Sequence, residues 1–427
     1  MSLDMSGADL IWRLQNEGNE VKTYIHYKKY RHIYDGLVDC KVVNWRKELR
    51  WIGRDGLVVF DNNGFGVLQD KLRNSGFKVF GGSAIGDDLE NDREFGQRIF
   101  KKAGLKIKES KTFFDFNEAI RFIGKNRGQW VFKQNNQLEK DLNYVGCRED
   151  GADMISLLEF YKKTIPKSKA NFILQKKAFG LEIGVGRFFN GKDWVGPIEY
   201  NMEHKALFPG ELGPKTFEMG DVMWYDDEEE NKLYIGTLAK MRDFLRKMKF
   251  VGDFEINCIV NKNSIIPLEA TTRIGYPAVH LQSQFQQSPW GEFLYALANG
   301  DKYKMKWRKG EGLVVLVAVP PFPYIIKKEW QASQDMRILI DDDIYKRKRN
   351  QIHFEEIYKQ NGDYYASSER GQILHVSAVG KDLSEARKEA YGIIKKIHIP
   401  KMFYRDDIGE SFITNNKKQL IDWGYIA

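Results

Sequence analysis

Two carboxylates near the middle of the chain carry the clearest chemistry. They lie in Phe254-Glu255-Ile256-Asn257-Cys258-Ile259-Val260, the polar stretch Asn261-Lys262-Asn263-Ser264, and Ile265-Ile266-Pro267-Leu268-Glu269-Ala270-Thr271-Thr272-Arg273. Apolar residues alternate with others on both sides of the polar stretch, which predicts a β-hairpin. Strand side chains alternate faces, so Glu255 shares a face with Asn257, and Glu269 shares one with Thr271 and Arg273. A turn with an odd number of residues would set Glu255 opposite Glu269. Carboxylates that close repel unless a cation lies between them. Hard oxygen ligands of this kind favour Mg²⁺, usually completed by phosphates and water. The other reading of the same spacing is an exposed hairpin with solvated charges.

The elements that must position these residues follow from the pattern. Helix Ala8–Asn16, strand 20–26, strand 57–60, helix 67–75 and strand Lys78–Phe80 alternate in the manner of a parallel α/β sheet. The 57–60 strand runs into Asp61-Asn62-Asn63-Gly64-Phe65-Gly66 and then a helix. Backbone N–H groups at such a helix start can hold an anion, although most such loops are only turns. Next come helices over 89–103 and 117–124 and a strand over 130–133. Lys133 ends that strand and needs a partner for its charge, either phosphate or solvent. Residues 173–187 read as strand, glycine-marked connection and strand. A helix over 233–248 precedes the hairpin, and Trp290–Asn299 follows it. Beyond 306 the texture changes to strands over 313–319 and 373–378 and a helix over 383–398.

The chain has 427 residues, 42% hydrophobic and 13% aromatic, enough for roughly two to four domains with real cores. Cys40, Cys147 and Cys258 are far apart. They form no disulfide framework or cysteine zinc motif, and Cys258 reads as a small core residue. The opening Met1-Ser2-Leu3-Asp4-Met5 lacks a hydrophobic signal core, and the apolar run 312–326 is broken by Pro320, Pro321 and Pro323. A cytoplasmic protein with no membrane partner is expected. Net charge is +8 and the isoelectric point about 9.0. That surplus suits small phosphorylated substrates as well as nucleic acid, but no nucleic-acid-binding motif supports direct readout.

The order of these features resembles an ATP-grasp ligase, and in particular the phosphoribosylamine–glycine ligase family. Val79-Phe80-Gly81-Gly82-Ser83-Ala84 is similar to the end of that family's N-terminal domain, and Leu89-Glu90-Asn91-Asp92-Arg93-Glu94-Phe95 to its next helix, with Arg93 where the family has lysine. Trp130-Val131-Phe132-Lys133 resembles the strand whose lysine touches nucleotide phosphates. Phe179-Gly180-Leu181-Glu182 resembles the hinge whose acidic residue holds the ribose. His204-Lys205 and Gly213-Pro214-Lys215-Thr216-Phe217-Glu218-Met219-Gly220 look like the family's His-Lys pair and substrate loop. Most specific are Ser377-Ala378-Val379-Gly380-Lys381-Asp382-Leu383-Ser384-Glu385-Ala386-Arg387 and Tyr404-Arg405-Asp406-Asp407-Ile408-Gly409, which resemble its C-terminal domain.

The resemblance implies an α/β (α+β) chain: an N-terminal Rossmann-like domain over 1–88, an ATP-grasp domain over 89–305, and a small β-rich C-terminal domain over 306–427. It implies ATP and Mg²⁺, with Mn²⁺ as a substitute. Glu255, Glu269 and Thr271 would hold the metal. Lys133, Lys176, Ala178, Glu182 and Arg93 would hold the nucleotide, with Lys133 and Arg273 also acting in catalysis. Asn63, Gly64, Lys205, Gly213, Pro214, Thr216 and Arg273 would bind substrates. A carboxylate would attack the γ-phosphate, and an amine would displace phosphate from the acyl phosphate to form an amide. The partners would be a small carboxylate and a small amine, one of them phosphorylated, and the protein a monomer or homodimer. There are departures too. Thr271 replaces an asparagine, Tyr276 and Ala278 an acidic pair, Phe217-Glu218 paired glycines, and 135–140 a glycine-rich flap. A ligase joining a different carboxylate and amine, or a non-catalytic nucleotide-binding relative, are the alternatives.

Overall fold

The structure is a computed structural model that describes residues 1–4, 7–134, 142–324, 333–367 and 370–426. The flap stretch 135–140 lies outside them. The chain forms two compact units that interleave in sequence. One comprises Met1–Asp87, Ile183–Ile256 and Thr271–Ala427; the other comprises Asp88–Glu182 and Asn257–Ala270.

In the first unit, seven strands lie side by side in the order Val251–Asn261, Leu181–Asn190, Trp194–Phe208, Leu212–Asp226, Glu311–Ala318, Gln372–Gly380 and Ile352–Phe354. The pairs from Leu181–Asn190 onward run antiparallel. Valine and leucine dominate Glu311–Ala318, which is buried almost throughout, so both of its faces are covered. Phe285 and Trp290 join Phe293, Leu297, Met223 and Val314 in one core, where helices Ala278–Phe285 and Trp290–Asn299 contribute. Strands Leu57–Val59 and Lys78–Phe80 pair in parallel with helix Gly66–Asn74 beside them, around Val58, Phe60, Phe65, Leu72 and Val79. The expected 20–26 strand shrinks to Thr23–Tyr24, paired in parallel with Lys41–Val42.

The second unit has an antiparallel sheet ordered Ser110–Phe113, Phe172–Lys176, Trp130–Gln134, Tyr144–Val145, with helices Phe116–Lys125 and Ala152–Thr164. Its core is aromatic. Phe172 stacks on Phe116 at 4.9 Å and on Phe132 at 4.8 Å between ring centroids. This packing fixes strand Trp130–Gln134, and with it the half-buried Lys133.

The helix expected over 89–103 is two helices, Ala84–Asn91 and Arg93–Lys102. Asp92 breaks the run by taking an extended conformation and accepting a hydrogen bond from Phe95 N at 2.9 Å. Among the described residues no helix is long and apolar enough to cross a membrane.

Candidate active site

Strand Val251–Asn261 separates its side chains by chemistry. Asp253, Glu255 and Asn257 alternate with Phe254, Ile256 and Cys258, and all six are buried. Glu255 is only 7% exposed, so the solvated-hairpin reading fails for this carboxylate. Cys258 is a core residue, as its strand position predicts.

The polar face of Asp253 and Glu255 belongs to a larger buried group in the first unit. On the neighbouring strand, Gly184 and Gly186 pair with Asn201 and Glu199. A Cβ on Gly184 would lie 2.1 Å from Asn201 Oδ1, so glycine there is what lets Asn201 reach across. Asn201 Nδ2 donates to Glu255 Oε2 at 2.5 Å. Gln282 Nε2 donates to both Glu199 Oε2 and Asp253 Oδ2 at 2.9 Å. Glu203 pairs across strands with Asp221 and forms an ion pair with Lys205. Glu218 lies nearby, coupled by charge to Asp221, Glu203 and Glu255.

Desolvation first, and neighbouring carboxylates second, push Glu255 up to about 8 and drive Glu199, Glu218 and Asp221 well above the usual carboxylate range. Desolvation likewise takes Asp253 up to about 6. Burying a phenylalanine contributes about 1.5–3 kcal/mol. Desolvating an ionised carboxylate costs several kcal/mol. Such a group must therefore stay protonated or take up positive charge. Lys205 and Arg273 lower the charge in part, Lys205 at Glu255 and Arg273 at Asp253. Buried Glu218 Oε1 and Asp221 Oδ1 have no hydrogen-bond partner among the described residues. Hard, buried oxygen donors left over in an acidic group fit Mg²⁺.

Arg273 donates to Ile274 O at 3.0 Å, just past the half-buried Thr271 that ends strand Ser264–Thr271. The turn joining the hairpin is not odd-membered. Lys262 and Asn263 alone connect the strands, because Asn261 Oδ1 accepts from Asn263 N at 3.0 Å and from Ser264 Oγ at 3.1 Å. The condition for placing Glu255 directly opposite Glu269 is therefore not met.

In the second unit Glu269 is paired with Arg93 at 3.1 Å, and the same helix's Gln97 donates to Leu268 O at 2.9 Å. Arg93 thus holds a carboxylate assigned to metal. Lys133 pairs in register with Ile173. Lys176 is exposed, its Nζ 5.5 Å from the centre of the Trp130 ring. Lys177, before half-buried Ala178, donates its backbone N–H to Gln129 O. Gly180 takes a φ of +146°, and a Cβ there would lie 2.0 Å from Val260 O, so only glycine fits beside the partly exposed Glu182.

The loop residues fare differently. Gly64 N and Gly66 N, the donors that could cradle an anion at the start of helix Gly66–Asn74, both bond the Asp87 carboxylate, at 2.9 and 2.7 Å. An internal anion fills the nest that includes Asn63 and Gly64. In the hairpin of Trp194–Phe208 and Leu212–Asp226, Thr216 Oγ1 donates to Lys205 O at 2.9 Å, Gly213 packs on the Phe208 ring, and Pro214 is half-buried. The C-terminal Tyr404–Gly409 motif locks this hairpin. Buried Arg405 bonds Ala206 O at 3.0 Å, Glu211 Oε1 at 2.7 Å and Asp407 Oδ2 at 2.7 Å, while Gly409 N donates to His204 Nε2 at 3.2 Å.

Sequence reasoning missed buried Asp253, Glu199 and Asp221 and half-buried Glu203 as members of the acidic group. The period-two run Asp253, Glu255, Asn257 was the available signal for the first. The others come from strands that only the fold makes adjacent.

With this geometry in place, likeness to other proteins becomes informative. The crystal structure of phosphoribosylamine–glycine ligase from Thermotoga maritima matches with a TM-score of 0.71 over 95% of this chain and 98% of that one, at 17% identity. A biotin carboxylase from Campylobacter jejuni, solved as a complex with β,γ-ATP, matches with a TM-score of 0.65 over 98% and 96%, at 10% identity. The chain has the ATP-grasp fold. The ATP-grasp chain is also 25% identical over 354 residues to the phosphoribosylamine–glycine ligase of Clostridium acetobutylicum, covering 81% of each, and 24% identical over 351 residues to that of Helicobacter pylori, covering 80% and 78%. Residues 329–411 match the family model described as phosphoribosylglycinamide synthetase, C domain.

Proposed function

We propose that this ATP-grasp chain is an ATP- and Mg²⁺-dependent ligase that joins a small carboxylate to a small amine through an acyl phosphate, in the manner of phosphoribosylamine–glycine ligases. The observation that carries this is the buried carboxylate group around Glu255, which needs a cation and lies in a fold shared with proteins bearing that name. The Mg²⁺, which when bound would offset phosphate charge and which Mn²⁺ would replace, is assigned to Glu255 and the acidic group around it; Glu269, paired with Arg93, and Thr271 are assigned to it on the family resemblance alone. Lys133, Lys176, Ala178, Glu182 and Arg93 are assigned the nucleotide. Arg273, with its planar fork, would grip a carboxylate or phosphoryl oxygens. The protein's part is to position groups and neutralise charge.

A second reading concerns the amine. Asp87 occupies the N–H groups of the 61–66 loop, and a substrate phosphate there would have to displace it against like charge. This favours an amine other than phosphoribosylamine. Hydroxylamine trapping tests the common step. With ATP, Mg²⁺ and the right carboxylate, a hydroxamate should accumulate. Its absence across a broad panel of carboxylates, with ATP binding intact, would leave only the nucleotide-binding alternative.

A further inference from the structure

A second polar cluster in the first unit has a different chemistry. His280 lies on helix Ala278–Phe285, His375 on strand Gln372–Gly380, and Glu355 directly after strand Ile352–Phe354. Their exposures are 2%, 0% and 5%. Glu355 Oε1 accepts from His280 Nε2 at 2.7 Å and from His375 Nδ1 at 3.0 Å. One donor atom from each of the three lies within 4.8 Å of the other two. A tetrahedral ion with bonds of about 2.0–2.1 Å holds its ligand atoms roughly 3.3 Å apart, so small side-chain rotations would admit one.

Hydrogen bonding leaves something over. His375 Nε2 is buried and has no partner among the described residues. The nitrogen that faces Glu355 is Nδ1, so an ion shared with Glu355 would take Nδ1 in place of that hydrogen bond. Tyr276 stands edge-on to both rings, at 5.8 Å from His280 and 5.5 Å from His375; its hydroxyl hydrogen-bonds Glu355 and accepts from Gln372 Nε2, which holds Glu355 in place beside the two rings.

A neighbouring group, Asp9, His280 and His353, is also compact, but its charge is already answered. Asp9 bonds Arg13 at 2.9 Å, Arg349 at 3.2 Å and His353 Nδ1 at 2.8 Å, while His353 Nε2 is engaged with Ser377 Oγ at 2.6 Å. A dication there would face two guanidinium groups. Glu355 is instead held down mainly by His280 and His375.

We propose that His280, Glu355 and His375 form a site for one borderline divalent transition-metal ion of the zinc class. It shares no residue with the hard-cation site assigned to Glu255 and Glu269. Imidazole nitrogens select such ions over Mg²⁺. The site is closed, which suits a structural clamp tying helix Ala278–Phe285 to strand Gln372–Gly380.

The test is zinc content by mass spectrometry after incubation with Zn²⁺ and desalting, with melting curves in parallel. All proteins carry Cys147→Ser, because exposed Cys147 could bind zinc by itself. The parent should retain about one Zn²⁺ per chain, and zinc should raise its Tm by several degrees. His280→Gln and His375→Gln should retain almost none, and His353→Gln should retain it. Uptake by the parent below a tenth of an equivalent would overturn the site, as would equal retention in the His375 variant or loss confined to the His353 variant. Should the His280 and His375 variants fail to fold, the parent decides. In constant excess Mg²⁺, which keeps the Glu255 group filled, its Tm must fall with a zinc-selective chelator and recover with Zn²⁺; no such response refutes the site.

Discussion

The Glu255 carboxyl is held near pKa 8 by burial and by Glu203 and Asp253, against about 4.5 for a free glutamate. In the absence of Mg²⁺ the folded state therefore binds a proton that the unfolded state has lost, and this costs stability increasingly from pH 4.5 up to about 8. Glu255→Gln removes the cost while keeping an acceptor for Asn201. We expect the metal-free variant to be more stable than the parent by about 2 kcal/mol near neutral pH, with the gain growing between pH 5 and 8. Its Mg²⁺-dependent turnover should fall roughly a thousandfold, about 4 kcal/mol of transition-state stabilisation. Urea melts across pH, paired with rates, check both; a variant that is less stable and fully active would refute the assignment. Asp87 offers a second residue-scale test. Asp87→Ser should free Gly64 N and Gly66 N, so inorganic phosphate should raise the Tm of the variant and leave the parent unchanged. Asp253 was legible in the strand's alternation once Glu255 was singled out. Asp87 was not, because its bonds to Gly64 and Gly66 depend on how the chain returns to the loop after strand Lys78–Phe80.

Among the elements, the hairpin of Trp194–Phe208 and Leu212–Asp226 depends on the Tyr404–Gly409 segment. Arg405 is buried, and its partners Glu211 and Asp407 both sit below the ordinary carboxylate range. Glu211 falls to about 2, with His204 and Arg405 opposing its desolvation, and Asp407 is lowered chiefly by Arg405. Asp407→Asn would leave the Arg405 guanidinium short of charge and should destabilise the fold by about 3 kcal/mol. Because the folded pKa values are depressed, the stability from this network is fully present above about pH 4.5. It is lost as pH falls toward 2. Acid titration followed by circular dichroism should show the parent losing more stability over that window than Asp407→Asn; parallel curves would count against the network. Helix Ala8–Asn16, strand Lys78–Phe80 and helix Trp290–Asn299 form as their patterns predict, since apolar period and flanking breakers agree there. The 233–248 helix divides at Thr237, whose side chain bonds Leu233 O, a competition that periodicity does not reveal.

At the scale of the whole molecule, compactness cuts across the three consecutive stretches read from the sequence. The chain leaves one unit and enters the other inside strand Val251–Asn261, between Ile256 and Asn257. No composition shift marks that point, because the strand's residues answer to packing on both sides. The fold was legible because its motifs and C-terminal signature recur in order along most of the chain. The acceptor was not, because pocket shape and internal charges such as Asp87 set it. Mg²⁺-dependent ligation can be read from ADP release. ATP turnover should be followed against panels of small carboxylates and amines, with and without Mg²⁺, and with glycine plus phosphoribosylamine as one pair. We expect ADP release that requires Mg²⁺, a carboxylate and an amine together, and that is weak for glycine with phosphoribosylamine. ADP release that ignores every carboxylate and amine, or that proceeds undiminished without a divalent ion, would rule out Mg²⁺-dependent ligation.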